Sequence, residues 1–180
     1  MGPRASKIKA APVVFLDIDG VLNSCESRAT GDHDLAPPLV AHLEYLVAAT
    51  AAEIVLSSTW RLEPALEQQV RETLAGRGLE LRGKTPDIES TGLGDRVDEI
   101  FAWLAEHRGG AAARAAHCFV AIDDLALSAM NPKLAEQHFV RTSDSVGLTR
   151  EGAEEAVRKL RRQQGAHQAE RSDNKLKARE

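Results

Sequence analysis

The sequence has few cysteines, few aromatic residues and no long apolar run, and each shortage excludes a class of protein. The two cysteines in 180 residues form no CxxC motif and suggest no disulfide framework, so we expect a reducing compartment and a cytoplasmic location. No apolar run is long enough to span a membrane. Aromatic residues make up 4% and the net charge is -4, which argues against stacking platforms for single-stranded nucleic acid and against a wholly basic surface.

Two common catalytic signatures are also missing. The six histidines form no HExxH pair, which argues against a zinc site. No GxxxxGK[ST] motif is present, which excludes a P-loop kinase module. The remaining composition, 43% hydrophobic and 28% charged, is typical of a globular protein, and 180 residues are enough for one domain with a substantial core.

The most informative stretch is an apolar run that leads directly into two aspartates. Val13–Leu16 is uniformly apolar, which predicts a strand buried on both faces, and Asp17 and Asp19 follow it. Ligands of open parallel sheets bind beyond the carboxyl ends of the strands, so we expect both side chains there, pointing the same way. Crowded carboxylates repel unless a cation lies between them, which predicts a Mg²⁺ site, a nucleophile with its acid, or both. An acidic strand end or a loose Ca²⁺ loop is the alternative.

Apolar runs that end in polar residues recur twice more. Residues 53–61 and 118–124 are each typical of a buried strand, and residues 138–142 predict a short one. The polar residues at the ends of the two longer runs are Ser57, Ser58, Thr59, Asp123 and Asp124. Three strand ends would therefore bring carboxylates and hydroxyls to one edge of a sheet.

Helical patterns separate these strands. Apolar spacing predicts helices over residues 62–77 and 95–107 and a last helix from about Arg150 to Arg162, while glycine and proline predict a loop over residues 83–94. Alternating strands and helices imply right-handed crossovers, so we expect an α/β fold with a doubly wound parallel sheet and helices on both faces.

The same patterns predict the domain organisation. We expect a flexible leader over residues 1–10, a catalytic domain over residues 11–162, and a polar, disordered tail over residues 163–180.

The order of the polar groups resembles the four motifs of the haloacid dehalogenase (HAD) superfamily. An acidic pair, hydroxyls, a basic residue (Lys84 or Arg96) and a second acidic pair follow one another between about residues 13 and 162. Five strings resemble the HAD-like domain of Swiss Army Knife RNA-repair proteins and, more distantly, the phosphatase half of polynucleotide kinase-phosphatases. They are VLSSTWR at 55–61, GKTP at 83–86, RVDEI at 96–100, IDD at 122–124 and GLT at 147–149. Val21 replaces the threonine common in many HAD phosphatases.

The resemblance implies a Rossmann-like HAD core and a Mg²⁺-dependent phosphatase that acts through an aspartyl-phosphate. Asp17 would be the nucleophile, and Asp19, held protonated by its site, would be the general acid and then the base. Magnesium would be held by Asp17, by the backbone carbonyl of Asp19, and by Asp123 or Asp124. The sequence leaves the choice between Asp123 and Asp124 open.

Phosphate binding is assigned to hydroxyl and basic groups. Ser57 or Ser58 would bind a phosphoryl oxygen, although both could instead cap the strand end. Lys84 or Arg96 would neutralise the charge of the transferred group. Arg96 is preferred because the resemblance places the basic residue at the start of a helix, whose N-terminus also attracts phosphate. We expect Trp60 to serve only for packing.

The chain offers no room for an inserted cap domain. The segments that follow Asn23 and Arg77 are too short for one, so we expect a capless, open site. Open sites admit phosphate on bulky partners, such as a polynucleotide end, and RNA repair is one candidate role. A phosphoprotein phosphatase and a catalytically weak module that binds a phosphorylated partner are the alternatives. We expect no membrane partner and leave the oligomeric state open.

Overall fold

A parallel sheet of five strands is the framework of the protein. The computed structural model describes residues 11–29, 35–88, 95–108 and 118–177, without the side chains of Asp95 and of residues 170–177. The leader predicted over residues 1–10 lies outside this part. The strands are β1 (Val13–Leu16), β2 (Glu53–Leu56), β3 (Leu81–Lys84), β4 (Phe119–Asp123) and β5 (Phe139–Arg141). Their order is β3-β2-β1-β4-β5, so β1 is central.

Six helices flank the sheet in the described part of the chain. They are α1 (Cys25–Ala29), α2 (Pro37–Thr50), α3 (Pro64–Ala75), α4 (Asp95–Arg108), α5 (Leu127–Met130) and α6 (Arg150–Lys177). Short 3₁₀ turns cover Thr59–Leu62 and Glu136–His138. Both α2 and α3 have proline in their first turn, where the missing N–H costs nothing. No helix that the structure describes is long and apolar enough to cross a lipid bilayer.

The two faces of the central strand supply two separate cores. Val14 and Leu16 pack with buried residues of α2, α3 and α6, whereas Val13 and Phe15 pack with buried residues of α4 and α5. All four residues of β1 are buried. Because both faces of this strand are covered by helices, polar and apolar residues do not alternate along it, which explains its uniformly apolar sequence. The predicted α/β architecture with helices on both faces is confirmed.

Two sequence-based boundaries are wrong. The loop predicted over residues 83–94 begins inside β3, an edge strand whose residues are mixed in burial and so lack a buried-strand pattern. The last helix does not end near Arg162 but continues to Lys177, into the segment expected to be disordered. One cause is Gln163, a buried residue whose amide bonds both the N–H and the C=O of Phe119, at 2.9 and 3.1 Å. Glutamine, alanine and charged residues beyond it are good helix formers.

Candidate active site

The register of the sheet places the polar ends of three strands side by side. Leu16 of β1 pairs with Leu56 of β2 on one side and with Ile122 of β4 on the other. The residues that follow these three are Asp17, Ser57 and Asp123. They therefore meet at the carboxyl edge of the sheet, where the sequence predicted them.

Three carboxylates form a cluster at this edge. Asp17, Asp123 and Asp124 each offer an oxygen atom, and these atoms lie within 4.8 Å of one another. Asp17 and Asp123 are only 5% and 1% exposed. Carboxylate oxygens gathered in this way suit a hard divalent cation such as Mg²⁺. The donor set therefore fits the metal that the sequence predicted.

Glycine at position 20 makes room for the third carboxylate. Gly20 has a φ of +71°, in the left-handed region that favours glycine. A Cβ atom at this position would lie 2.6 Å from both Cβ and Cγ of Asp124. The turn after β1 can therefore approach β4 closely only with glycine there.

Arg96 brings a positive charge into the carboxylate cluster. It is the second residue of α4, and its Nη1 atom lies 2.8 Å from Asp17 Oδ2 and 2.6 Å from Asp123 Oδ2. Burial opposes the charge of the guanidinium, but Asp17 and Asp123 outweigh burial and raise the pKa of Arg96. The structure thus brings the preferred phosphate-binding candidate to the predicted nucleophile.

Lys84, the other basic candidate, is not brought to this cluster. It ends the edge strand β3, and its Nζ atom donates to Glu67 Oε2 at 2.6 Å and to the backbone carbonyl of Arg61 at 3.0 Å. Of the two basic residues that the sequence offered, the geometry favours Arg96.

Burial raises the pKa of both inner carboxyl groups. For Asp17, burial outweighs the opposing effects of Arg96 and of a hydrogen bond from Ser58 on the pKa. For Asp123, burial and the neighbouring charge of Asp17 raise the pKa to about 7. A cation bound beside these carboxyl groups would favour their ionised forms.

Asp19 lies apart from the three clustered carboxylates. β1 ends at Leu16, so the alternation of a strand does not extend to Asp19, whose side chain is 51% exposed while that of Asp17 is buried. The two side chains that were expected to point the same way therefore differ in burial. The Asp19 side chain is not among the close metal-ligand candidates, and a role for its backbone carbonyl stays a prediction.

Trp60 contacts Asp19 instead of serving only for packing. Its indole Nε1–H donates to Asp19 Oδ2 at 2.9 Å, and Asn23 Nδ2 donates to Asp19 Oδ1 at 3.3 Å. The sequence offered one indication of this contact, because the indole N–H of a buried tryptophan usually needs a hydrogen-bond acceptor. These two bonds fix the orientation of the candidate acid/base.

The two serines differ in their unused hydrogen-bonding capacity. Both are buried. The hydroxyl of Ser58 bonds the carboxylate of Asp17 and accepts the N–H of Trp60 at 3.4 Å. Ser57 Oγ has no hydrogen-bond partner among the described residues. Ser57 is therefore the hydroxyl better able to accept a new partner.

A buried ion pair that the sequence analysis did not single out supports this edge of the sheet. Arg61 Nη2 lies 2.5 Å from Glu99 Oε1, and both side chains are almost fully buried. The same guanidinium donates to the carbonyls of Ser58 and Thr85 at 2.9 and 3.2 Å. Arg61 therefore connects the segments after β2 and β3 to α4, three residues beyond Arg96. The sequence signal was a charged residue at the end of the segment predicted as a buried strand, residues 53–61.

The fold and the site define the class of protein. A parallel Rossmann-like sheet with acidic residues after β1 and at the end of β4 is the core of a HAD-type enzyme. The family model for the HAD domain in Swiss Army Knife RNA repair proteins matches residues 13–153, and the chain belongs to this family. Membership indicates a HAD-type hydrolase of the phosphatase kind, and HAD enzymes generally use Mg²⁺. No curated protein and no solved structure gives a significant match.

Proposed function

We propose that the protein is a Mg²⁺-dependent phosphomonoesterase that acts through an aspartyl-phosphate at Asp17. The observation that carries this proposal is the position of Asp17, buried at a strand end beside Asp123 and Asp124 and 2.8 Å from the guanidinium of Arg96. A carboxylate attacks a phosphate dianion only when the negative charges are screened. This site gathers the groups that can provide that screening.

The residues present would hold Mg²⁺ through Asp17, Asp123 and Asp124. When bound, the ion supplies charge screening and orientation of the phosphoryl group. Arg96 would neutralise the equatorial charge of the transferred group, and the hydroxyl of Ser57 would donate to a phosphoryl oxygen. The unpartnered Oγ atom of Ser57 and the cluster geometry support these roles.

The chemistry would proceed in two displacements at phosphorus. In the first, Asp17 forms a bond to phosphorus while the bond to the leaving oxygen breaks, and Asp19 donates its proton to that oxygen. In the second, Asp19 takes a proton from water that attacks phosphorus, which releases phosphate and restores Asp17. The half-exposed carboxyl of Asp19, held by Trp60 and Asn23, suits a group that must meet both a leaving group and water.

The proposed substrate is a phosphate on a bulky partner, a polynucleotide end in the first place. The family description, which refers to RNA repair proteins, supports this substrate class. The exposure of Asp19 supports it too, because a leaving group that meets an exposed acid need not be enclosed.

Hydrolysis of p-nitrophenyl phosphate with and without Mg²⁺ tests the proposed activity. We expect metal-dependent release of phosphate that falls by at least about 10³-fold in Asp17→Asn, because the nucleophile is lost. Asp98→Asn is the matched control, since Asp98 is an exposed residue of α4 paired with Lys133. Thermal melts verify that both variants fold.

Two outcomes would overturn the proposal. Phosphate release that persists in folded Asp17→Asn would exclude Asp17 as the nucleophile. Absence of release from any phosphomonoester, combined with binding of phosphorylated ligands, would identify a binding module instead.

A further inference from the structure

A short helix and a loop meet beside the exposed face of Asp19. The first two N–H groups of α1, those of Cys25 and Glu26, donate to the carbonyls of Asp144 and Ser145 at 2.7 and 3.2 Å. These two residues belong to the segment between β5 and α6. These bonds are made by the backbone, so they hold α1 on this segment in addition to the side chains that it carries.

Arg28 of α1 is held rigidly within this contact. Its Nη1 donates to the carbonyl of Asn23 at 2.7 Å, and its Nη2 donates to Asp144 Oδ1 at 2.7 Å and to Cys25 Sγ at 3.0 Å. Three of the five N–H donors of the guanidinium are used in these bonds, which leaves two for a ligand. The side chain is 30% exposed, so a ligand can reach it.

The fixed guanidinium faces the candidate acid/base. Arg28 Nη1 lies 3.8 Å from Asp19 Oδ1. Among the residues that the structure describes, Arg28 is the one cationic side chain within ion-pair distance of Asp19. Arg96, by comparison, pairs with Asp17 and Asp123. The two arginines therefore contact different carboxylates of the site.

The contacts of Asp19 indicate where the leaving group lies. Oδ2 is engaged by the indole of Trp60 at 2.9 Å, whereas Oδ1 has the longer contacts. Proton donation through Oδ1 requires the leaving oxygen within about 3 Å of it. The atoms attached to that oxygen then come within reach of the two remaining donors of Arg28.

We propose that Arg28 is a binding residue for the leaving part of the substrate and recognises the phosphodiester next to the phosphate that is removed. This inference rests on the proposed phosphatase function and defines its substrate class as a polyanionic chain end. A planar guanidinium with fixed geometry is well suited to a phosphodiester oxygen. Arg28 is not the sole contact that holds α1, because the backbone N–H groups of Cys25 and Glu26 bond the same segment.

The test compares a charged with an uncharged leaving group. We would measure kcat/KM for p-nitrophenyl phosphate and for short RNA oligonucleotides with a terminal 3′- or 5′-phosphate, in wild type, Arg28→Ala and Arg28→Lys. Arg77→Ala is the matched control: it removes the same charge from an exposed residue just beyond α3, paired with Glu44. A phosphoserine peptide is included as the competing macromolecular substrate.

We expect Arg28→Ala to lower kcat/KM for the preferred oligonucleotide at least 10-fold more than for p-nitrophenyl phosphate. In a plot of the logarithm of oligonucleotide affinity against the logarithm of salt concentration, the slope should become shallower by about 0.7. This is the change expected when one contact with a single strand is lost. Arg28→Lys keeps the charge and should retain most of that slope while losing part of kcat/KM. Arg77→Ala should leave kcat/KM for both substrates and the salt dependence of binding unchanged. Thermal melts verify that all variants fold.

Three results would overturn the inference. They are equal losses on both substrates in Arg28→Ala, an unchanged salt slope, and a wild-type preference for the phosphopeptide over every oligonucleotide. A wild-type protein that hydrolyses none of the substrates would refute the proposed function itself, which separates that failure from the failure of Arg28.

Discussion

At the scale of single residues, the two aspartates that we propose as catalytic lie in different environments. Asp17 is buried against Arg96 and Asp123, whereas Asp19 is half exposed, accepts hydrogen bonds from Trp60 and Asn23, and lies 3.8 Å from Arg28. Burial removes part of the hydration shell of a carboxylate nucleophile, while an acid that later activates water must be open to it. The local turn that separates the two residues is therefore part of the chemistry that we propose.

We expect a half-buried histidine, His138, to make stability sensitive to mild acid. Burial lowers the pKa of His138, which stacks on Phe119 and has Nδ1 3.1 Å from the carbonyl of Phe119, with the positive charge of Lys159 also lowering it. A lowered folded-state pKa contributes stability above the unfolded pKa of about 6.5, and that stability is lost as pH falls towards the folded value.

We therefore expect the free energy of unfolding to fall between pH 7 and pH 5 more steeply in wild type than in His138→Phe. The phenylalanine keeps the stacked ring, and the carbonyl of Phe119 still accepts from Gln163 Nε2. Urea unfolding across this pH range measures the difference. Parallel pH profiles for the two proteins would show that His138 contributes nothing to the pH dependence.

At the scale of elements, α4 is the part whose position matters most for the site. It carries Arg96 in its first turn, and the buried pair of Arg61 and Glu99 holds it to the segments after β2 and β3. Removing one partner of a buried pair leaves the other charge uncompensated, which is far more costly than losing a surface pair.

We expect Glu99→Gln to destabilise the protein by about 3 kcal/mol and to lower kcat/KM for p-nitrophenyl phosphate under conditions in which the variant is fully folded. The reason for the kinetic loss is displacement of α4, and with it Arg96. Glu106→Gln, at a largely exposed position of the same helix, is the control. Urea unfolding and steady-state kinetics measure the two effects. A destabilised variant with unchanged kcat/KM would show that the pair supports the fold without positioning Arg96.

At the scale of the whole molecule, the net charge limits how a polyanionic substrate can be attracted to the protein. The net charge of -4 gives no long-range attraction for a polyanion. Affinity for a polynucleotide end would therefore have to arise locally, from Arg96, Arg28 and the divalent cation. This explains why composition alone argued against a nucleic-acid-binding surface.

The strands of the sheet that are buried apolar runs were predictable from the local sequence pattern. β1, β2 and β4 are buried apolar runs, and the acidic and hydroxyl residues at their ends indicated the site. The edge strand β3 was missed because its residues are mixed in burial. The supporting contacts were not predictable, because they join residues far apart in the chain: Trp60 and Asp19, Arg61 and Glu99, and Arg28 and Asp144 are separated by 41, 38 and 116 positions.

The most direct test of the central claim is to trap the covalent intermediate in Asp19→Asn. p-Nitrophenolate leaves with little need of a proton, so the first displacement should proceed, while loss of the base should slow hydrolysis of the aspartyl-phosphate. We would quench the reaction in acid, reduce the acyl phosphate with borohydride and map the peptides by mass spectrometry. The account predicts a burst stoichiometric with enzyme and homoserine at position 17. A burst without modification at Asp17, or steady turnover at the wild-type rate, would contradict it.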